Sequence, residues 1–588
     1  MTLHDTTYGR ASTGTPDDAT PNDRPSRSPI RYVVRRSDVQ AATDLGRACG
    51  LGAVAAEILM QRGLSEPAAA RTFLDPKLGD LSSPEGMADR ALAADRLAHA
   101  VRRKERICVF GDYDVDGTTS AAILSDVLTA LGGDVTTFVA NRFEGGYGFS
   151  MPALERCLAT RPDLIVTCDV GSSDHERIAR AREAGVDVIV VDHHLVPPEP
   201  LPALAFLNPH RPECEFPYKG MCSAGLVFSL SAAIRASLGA KLDLRAWLDL
   251  VALGTVADVA PLDGDNRTLV RAGLRLLASP KARPGIAALR QVAGIKPGRA
   301  IGAMEIAFRL APRLNAPGRL GDPGIVVALL RERDRTRARA LAAEIEARNN
   351  ERKAIERRTT EEAIRQVAEV YGEAPETGVV VAGKGWHRGV VGISAARVVD
   401  RFDVPAVVVA VDEDGVGHGS ARTPEGIHLY NALSTCKERL IRFGGHAAAA
   451  GVTLEMGELD EFREGFSVAT PRPEARQTPP TVDVELSSGR DLPSVADLMR
   501  LEPLGEGNAQ PLFALKNVQV DDVSVVADGQ HLKLRLRHGM RVLTAFGRDM
   551  ASEADQIGDR VTVVGYLRPD LWRGGDALEM SIHHLYLA

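Results

Sequence analysis

Ile107-Cys108-Val109-Phe110-Gly111-Asp112-Tyr113-Asp114-Val115-Asp116-Gly117 is the stretch on which the fold turns. Four apolar residues predict a short buried strand. Three aspartates at alternate positions follow, closed by glycine. The same pattern recurs twice downstream. Leu164 to Cys168 runs into Asp169-Val170-Gly171, and Val186 to Val191 runs into Asp192-His193-His194. Between these runs, Thr118 to Leu131 reads as a helix closed by Gly132 and Gly133, Val135 to Val139 as a strand, and Glu176 to Ala184 as a helix. Strands alternating with helices predict a parallel α/β sheet with crossovers. All strands of such a sheet point one way, so the three polar clusters meet at its carboxyl pole, where open α/β sheets bind ligands.

The residue types at that pole suit a pair of cations. The spacing of two places Asp112, Asp114 and Asp116 on one side of an extended segment, where three like charges repel unless neutralised. Asp169, Asp192, His193 and His194 add ligand groups, and Asp258 is a further isolated acid in the apolar run Gly254 to Ala260. Carboxylates with imidazole and no thiolate suit Mn²⁺ or Mg²⁺, and this number of acids suits two ions roughly 3.5–4 Å apart. A lone aspartate after a strand is ordinarily a helix N-cap. Asp-x-Asp-x-Asp-Gly also opens calcium loops, but no glutamate closes a twelve-residue loop here.

Outward from this core, 588 residues at roughly 100–200 per domain predict three or four domains. Residues 1–29, rich in Ser, Thr, Pro and Asp, read as a disordered tail. Residues 30–99 read as a helical segment packed on the catalytic domain, which occupies 100–330. From 331 to 371 the sequence is charged and free of Gly and Pro, and predicts a connecting helix with Arg331 to Arg339 on a solvated face. A smaller α/β unit fills 372–466, with strands at Val379–Ala382 and Val404–Val411. Within 467–588, five β-runs (Val518–Val526, His531–Arg537, Arg541–Phe546, Val561–Leu567 and Leu578–Leu587) predict a small barrel of the OB type.

Composition sets bounds. A net charge of −7 does not advertise a nucleic-acid partner, but an acidic metal site biases that count. Seven scattered cysteines without a CxxC predict reduced thiols and no zinc site, hence a cytoplasmic protein. No apolar run approaches a membrane span, and the N-terminus lacks the apolar core of a secretory signal.

At this point the motifs resemble those of the DHH phosphoesterases, and within them the exonucleases specific for single strands. The resemblance rests on FGDYDVDG (110–117), NRFEGGYG (141–148), TCDVG (167–171), VDHH (191–194), GTVADVAPL (254–262), PRLNAPGRL (312–320), GWHRGVVGISAARV (385–398), GHGSAR (417–422), FGGHAAAAG (443–451) and LEPLGEGNAQPLF (501–513). It implies a DHH domain, a long helix, a DHHA1 domain and an OB-fold. It implies Asp114, Asp116, Asp169, His193 and Asp258 as metal ligands, with Asp169 bridging, Asp112 as a further ligand, and His194 against the scissile phosphate. Ser172-Ser173-Asp174-His175, Ala509 and Arg573 depart from the family pattern but touch no implied ligand. The implied activity is two-metal hydrolysis of single-stranded DNA from its 5′ end to 5′-mononucleotides, in recombination and repair. The implied partners are a single-strand-binding protein and a helicase, and a monomer is expected.

Exonuclease polarity needs a pocket for a strand end. Gly417 to Arg422 follows a strand and offers backbone N–H groups, the Ser420 hydroxyl and the Arg422 guanidinium, which suit a terminal phosphate. Arg142 and either Arg313 or Arg319 are the expected partners from the first domain, and His446 after Gly444-Gly445 is a further expected contact. In the barrel, His531, Lys533, Arg535 and Arg537 alternate with Leu532, Leu534 and Leu536, one face for the core and one basic face for a strand's phosphates. Two other readings compete: a DHH phosphoesterase for short oligonucleotides or cyclic dinucleotides, and a non-catalytic single-strand-binding scaffold. The barrel and the chain length weigh against the first, the intact ligand set against the second.

Overall fold

The computed structural model describes residues 32–144, 148–296, 299–472, 479–487, 489–527, 529–570 and 573–587. The tail expected at 1–29 lies outside them. The described chain forms two compact bodies, one from residue 78 through 472 and one from 32–77 with 479–587.

In the first body, β1 (Arg106–Gly111), β2 (Asp134–Val139), β3 (Leu164–Cys168), β4 (Asp187–Val191) and β5 (Ala205–Leu207) form a parallel sheet in the order β2-β1-β3-β4-β5. Ile107 to Phe110 are almost wholly buried, as a strand covered on both faces must be. Helix α1 (Val115–Ala130) is buried around its whole circumference through Leu128, with α2 (Ser223–Ser237) and α3 (Leu248–Ala257) packed against it. A helix apolar on every side belongs inside a domain rather than on its surface.

The expected connecting helix is α4 (Arg335–Tyr371), 37 residues long. It spans roughly 55 Å at about 1.5 Å per residue. It starts four residues later than expected because Asp334 caps it, accepting from Arg337 N at 2.8 Å. Its first half buries Ala338, Ala342 and Ile345 in the core beside the parallel sheet, and its second half buries Ala363 and Val367 under the next domain. That domain carries β6 (Val379–Lys384), β7 (Ala406–Val411), β8 (Val416–Arg422), β9 (Arg442–Gly445) and β10 (Ala449–Glu455) in the order β9-β10-β8-β7-β6, with α5 (Val391–Phe402), α6 (Leu429–Thr435) and α7 (Leu459–Ala469).

The second body is a closed barrel. β12 (Phe513–Val526), β13 (His531–His538), β14 (Arg541–Gly547), β15 (Arg560–Pro569) and β16 (Leu578–Leu587) build its wall, and β12 pairs back to β15; β11 (Val484–Leu486) adds to β12 in parallel. The expected strands are all present.

Two expectations need correction. The segment 30–99 does not act as one unit on the DHH domain. Leu78 to Arg103 joins the first body, whereas Leu45, Val54, Ile58, Leu59 and Leu74 share one core with Val484, Phe513, Leu534 and Val563 of the barrel. Gln61 Nε2 and Arg62 Nη2 donate to the carbonyls of Asp483 and Ala509 at 2.8 and 2.7 Å, fastening the contact. Secondly, Gly417 to Arg422 does follow a strand, β7, but its backbone N–H groups are not offered to a ligand as expected. It is part of strand β8 itself, hydrogen-bonded on both sides to β7 and β10. Its amides belong to the sheet, so Ser420 and Arg422 could meet a ligand only through their side chains.

Candidate metal centre

The first aspartates sit where β1 turns into α1. They do not lie along an extended segment as expected. Asp114 is the N-cap of α1, accepting from Gly117 N at 3.0 Å, and Asp116 is already in the first helical turn. Helix formation starts three residues earlier than Thr118 because Asp114 supplies the cap. Gly117 allows the tight turn, since a Cβ there would stand 2.5 Å from the amide nitrogen of Asp112.

Asp169 follows β3 with φ at +65°, in the left-handed region. A non-glycine residue held there costs about 1–3 kcal/mol and persists where surrounding structure fixes it. Val259, directly after Asp258, is likewise left-handed at φ +59°, at the end of α3 where glycine is usual.

These turns bring the acids onto one imidazole. His193 Nε2 is buried and makes no hydrogen bond. It lies 3.2 Å from Asp169 Oδ1, 3.6 Å from Asp258 Oδ2 and 4.0 Å from Asp116 Oδ2. Ligand atoms of Asp112, Asp114 and Asp169 also lie within 4.8 Å of one another, as do those of Asp169, His193 and His194. Asp112 Oδ1 is a second buried atom with no partner. Burial, then the charge of Asp114, raises Asp112 and Asp116 to about 7. Burial and the neighbouring carboxylates push Asp169 and Asp258 well above the usual range. Burial holds His193 down at about 3, so its ring is neutral and able to ligate. Crowded buried acids around a neutral imidazole with an unused nitrogen fit divalent cations.

Asp192, expected among the ligand groups, is spent elsewhere. Its Oδ2 accepts from Ser172 N at 3.0 Å, and its Oδ1 accepts from the amides of His193 and His194 and meets His194 Nδ1 at 2.6 Å. Burial works against charge on His194, but Asp192 outweighs it and the ring is raised overall. Asn208 Nδ2 donates to the His194 carbonyl at 2.8 Å and to Ser172 Oγ at 3.1 Å, completing the support.

The sequence reading missed the start of α2. The amides of Ser223 and Ala224 donate to the two oxygens of Asp116 at 2.8 and 3.0 Å, and Ser223 Oγ donates to Asp169 Oδ1 at 3.2 Å. Cys222 lies within 4.8 Å of Asp116 and Asp258, but burial and those two charges push its thiol far up, so it stays protonated. Nothing in the spacing of Cys222-Ser223-Ala224 announces this; only the packing of α2 on α1 does.

The expected strand-end residues also converge, in part. Arg422 Nη1 donates to Ser420 Oγ at 2.9 Å, and a Cβ on Gly392, in the first turn of α5, would stand 3.1 Å from Ser420 Oγ and 3.2 Å from Arg422 Nη2. A helix start, a hydroxyl and a guanidinium therefore face one another. Arg142 stacks over Tyr113 at 4.3 Å. Of the two alternatives, Arg313 is held by Glu346 through contacts of 2.6 and 3.1 Å, whereas Arg319 Nη1 reaches across to Gly389 O at 3.2 Å. A Cβ on Gly389 would stand 1.9 Å from the Arg319 carbonyl oxygen, so the two domains meet backbone to backbone. In the barrel, Lys533 and Arg535 are exposed beside fully buried Leu532, Leu534 and Leu536, while Arg537 is paired with Asp521 at 2.7 Å.

Comparison with known proteins accords with this geometry. Residues 106–255 match the N-terminal domain of the DHH family, 376–467 the DHHA1 domain, and 482–584 the RecJ OB domain. The single-stranded-DNA-specific exonuclease RecJ of Bacillus subtilis is 34% identical over 94% of this chain and 70% of its own length. Its Escherichia coli counterpart is 39% identical over 72% of this chain and 76% of its own. The crystal structure of RecJ from Thermus thermophilus in complex with Mn²⁺ superposes with a TM-score of 0.78 at 31% identity, covering 95% of this chain and 79% of that one. A second crystal structure, of the same protein with Mg²⁺, gives 0.73 at 29%. This chain belongs to the RecJ family of single-stranded-DNA-specific exonucleases.

Proposed function

We propose that this protein is a metal-dependent exonuclease that hydrolyses single-stranded DNA from the 5′ end to 5′-mononucleotides, in recombination and repair. The observation that carries the reading is the unpaired His193 Nε2 with carboxylate oxygens of Asp169, Asp258 and Asp116 at 3.2, 3.6 and 4.0 Å. Asp112, Asp114, Asp116, Asp169, His193 and Asp258 would hold two ions, Mn²⁺ or Mg²⁺. Bound there, the ions supply Lewis acidity and lower the pKa of water enough for attack on phosphorus near neutral pH.

The protein's own groups do the rest. Asp192 fixes the His194 ring and favours its charged form, which suits it to meet non-bridging phosphate oxygens as charge builds up. Ser420 and Arg422, with the start of α5, take the terminal 5′ phosphate, joined by Arg142 and by Arg319 rather than Arg313. His446 is a further contact for the same strand. Lys533 and Arg535 offer a basic face to the rest of the strand. Substrate delivered as a single strand calls for a helicase and a single-strand-binding protein as partners. The seven buried free cysteines suit a reducing cytoplasm. No helix among the described residues is long and apolar enough to cross a membrane.

The test uses 3′-labelled 5′-phosphorylated single strands and their blunt duplexes with Mn²⁺. The full chain is expected to shorten the single strand progressively from its 5′ end and to spare the duplex, and Asp169→Ala is expected to be silent. Binding without cleavage would favour a scaffold. Cleavage confined to short oligonucleotides would favour a small-substrate phosphoesterase.

A further inference from the structure

Beside the strand-end residues, the DHHA1 sheet ends in an edge that carries exposed aromatic and apolar groups. Aromatic residues make up only 5% of the sequence, and among the described residues only Phe308 and Tyr430 are exposed aromatics. On α6, Tyr430 is 43% exposed, with its ring 5.5 Å from that of Phe443 on the edge strand β9. Phe443 is half-buried against the domain core and so forms a fixed backing for Tyr430. Ile441 lies two residues before Phe443 and is 59% exposed. Arg442, between them, is exposed, and its side chain makes no hydrogen bond or ion pair with any described residue.

This patch adjoins the segment that carries His446. Leu429 N, next to Tyr430, donates to Ala447 O, next to His446, at 2.8 Å. Residues 441–448 are exposed at every position but Phe443, and four of the eight are Gly or Ala, so a ligand can lie close to the backbone. An aromatic face backed by a second ring, an uncommitted guanidinium and a small-residue ridge that carries His446 match the two parts of a nucleotide, base and phosphate.

We propose that Tyr430, backed by Phe443 and flanked by Arg442, is a base-stacking step for single-stranded DNA on the edge of the DHHA1 sheet. The inference rests on the exonuclease reading above and assigns a contact outside its metal centre and end pocket. Stacking is sequence-tolerant, because every base presents a π-face. The step therefore adds grip without base preference, as a nuclease that degrades any sequence requires.

The test measures binding of the full chain, in EDTA so that nothing is cut, to a 3′-fluorescein thirty-nucleotide oligothymidylate. A second strand carries 2-aminopurine, whose emission falls when it stacks on a ring. Tyr430→Ala is expected to weaken binding about tenfold and to lose the quenching, while Tyr430→Phe stays within about twofold of the parent. Equal thermal midpoints for the parent and both variants confirm that folding is intact. Parent-like binding and quenching by Tyr430→Ala would overturn the stacking step and leave the patch to a protein partner at the edge strand. If the parent itself binds no strand, the exonuclease reading fails, which is a different outcome.

Discussion

Ser223 joins the metal centre through two of its atoms, an amide on Asp116 and a hydroxyl on Asp169. The amide survives substitution by alanine, so Ser223→Ala isolates the hydroxyl. Groups that orient a ligand without touching the ion typically carry 10–100-fold in metal affinity. Ser223→Ala is expected to weaken Mn²⁺ binding about tenfold by calorimetry, with the thermal midpoint of the chelated protein little changed; unaltered affinity would make the contact incidental. The same residues predict an unusual pH response. Asp112 and Asp116 are raised to about 7 in the folded, ion-free protein, against roughly 3.9 for an exposed aspartate. The folded state then binds more protons than the unfolded one between those values, so stability falls as pH rises through that window. Protein in EDTA is expected to melt lower at pH 8 than at pH 5.5, and saturating Mn²⁺ should reverse the order, because ligation needs the deprotonated acids. A higher midpoint at pH 8 in EDTA would show that these carboxylates are not crowded as described. The acids and His193 were legible in the sequence because most of them follow an apolar strand, and parallel topology alone sends them to one pole. Ser223, Cys222 and Asn208 were not, since they arrive through helix packing and loop closure that leave no spacing to read. The part played by Asp192 was hidden for a related reason. Its type and position fit a ligand, and only the amides of Ser172, His193 and His194 show that its oxygens are taken.

Among the elements, β13 shows how far alternation carries. Its period of two correctly separates buried Leu532, Leu534 and Leu536 from the basic face. It says nothing of Asp521, which sits at a register irregularity in neighbouring β12 and engages Arg537 through both carboxylate oxygens. The three cations are therefore not equivalent. Each phosphate contact on a single strand contributes about 0.7 to the slope of log affinity against log salt. Lys533→Gln and Arg535→Gln are each expected to weaken binding to a thirty-nucleotide strand and to lower that slope by about 0.7, whereas Arg537→Gln leaves it nearly unchanged. Equal slopes for all three variants would mean that Arg537 exchanges Asp521 for phosphate, and no change in any would remove β13 from the DNA path. Helix α4 was legible for the opposite reason: with Gly and Pro absent over a charged stretch, little but a helix fits, although its starting residue depended on the Asp334 cap.

For the whole molecule, the barrel body draws on both ends of the chain. Val33 and Val34 pair with Thr481 and Val482, and the helices between residues 39 and 74 fill the barrel's core. Amphipathic helices were legible at the N-terminus, but the body they cover was not, because an apolar stripe carries no address. This has a consequence for dissection. Removing the barrel at residue 477 strips the cover from Leu45, Val54, Ile58, Leu59 and Leu74, all at most 6% exposed in the intact chain. Each large apolar side chain left in water forfeits about 1.5–3 kcal/mol, and an uncovered apolar stripe invites aggregation. The fragment 78–476 instead keeps the whole first body, its cores and every residue of the metal centre and end pocket. It is expected to be soluble, to melt cooperatively, and to cleave a five-nucleotide strand at a rate close to the full chain's while binding a thirty-nucleotide strand more weakly for want of Lys533 and Arg535. The fragment 1–476 is expected to aggregate, or to lose its N-terminal helices to proteolysis with a new end near residue 78. Were 1–476 as soluble and protease-resistant as 78–476, the N-terminal helices would not depend on the barrel, and the division of the chain into these two bodies would have to be redrawn.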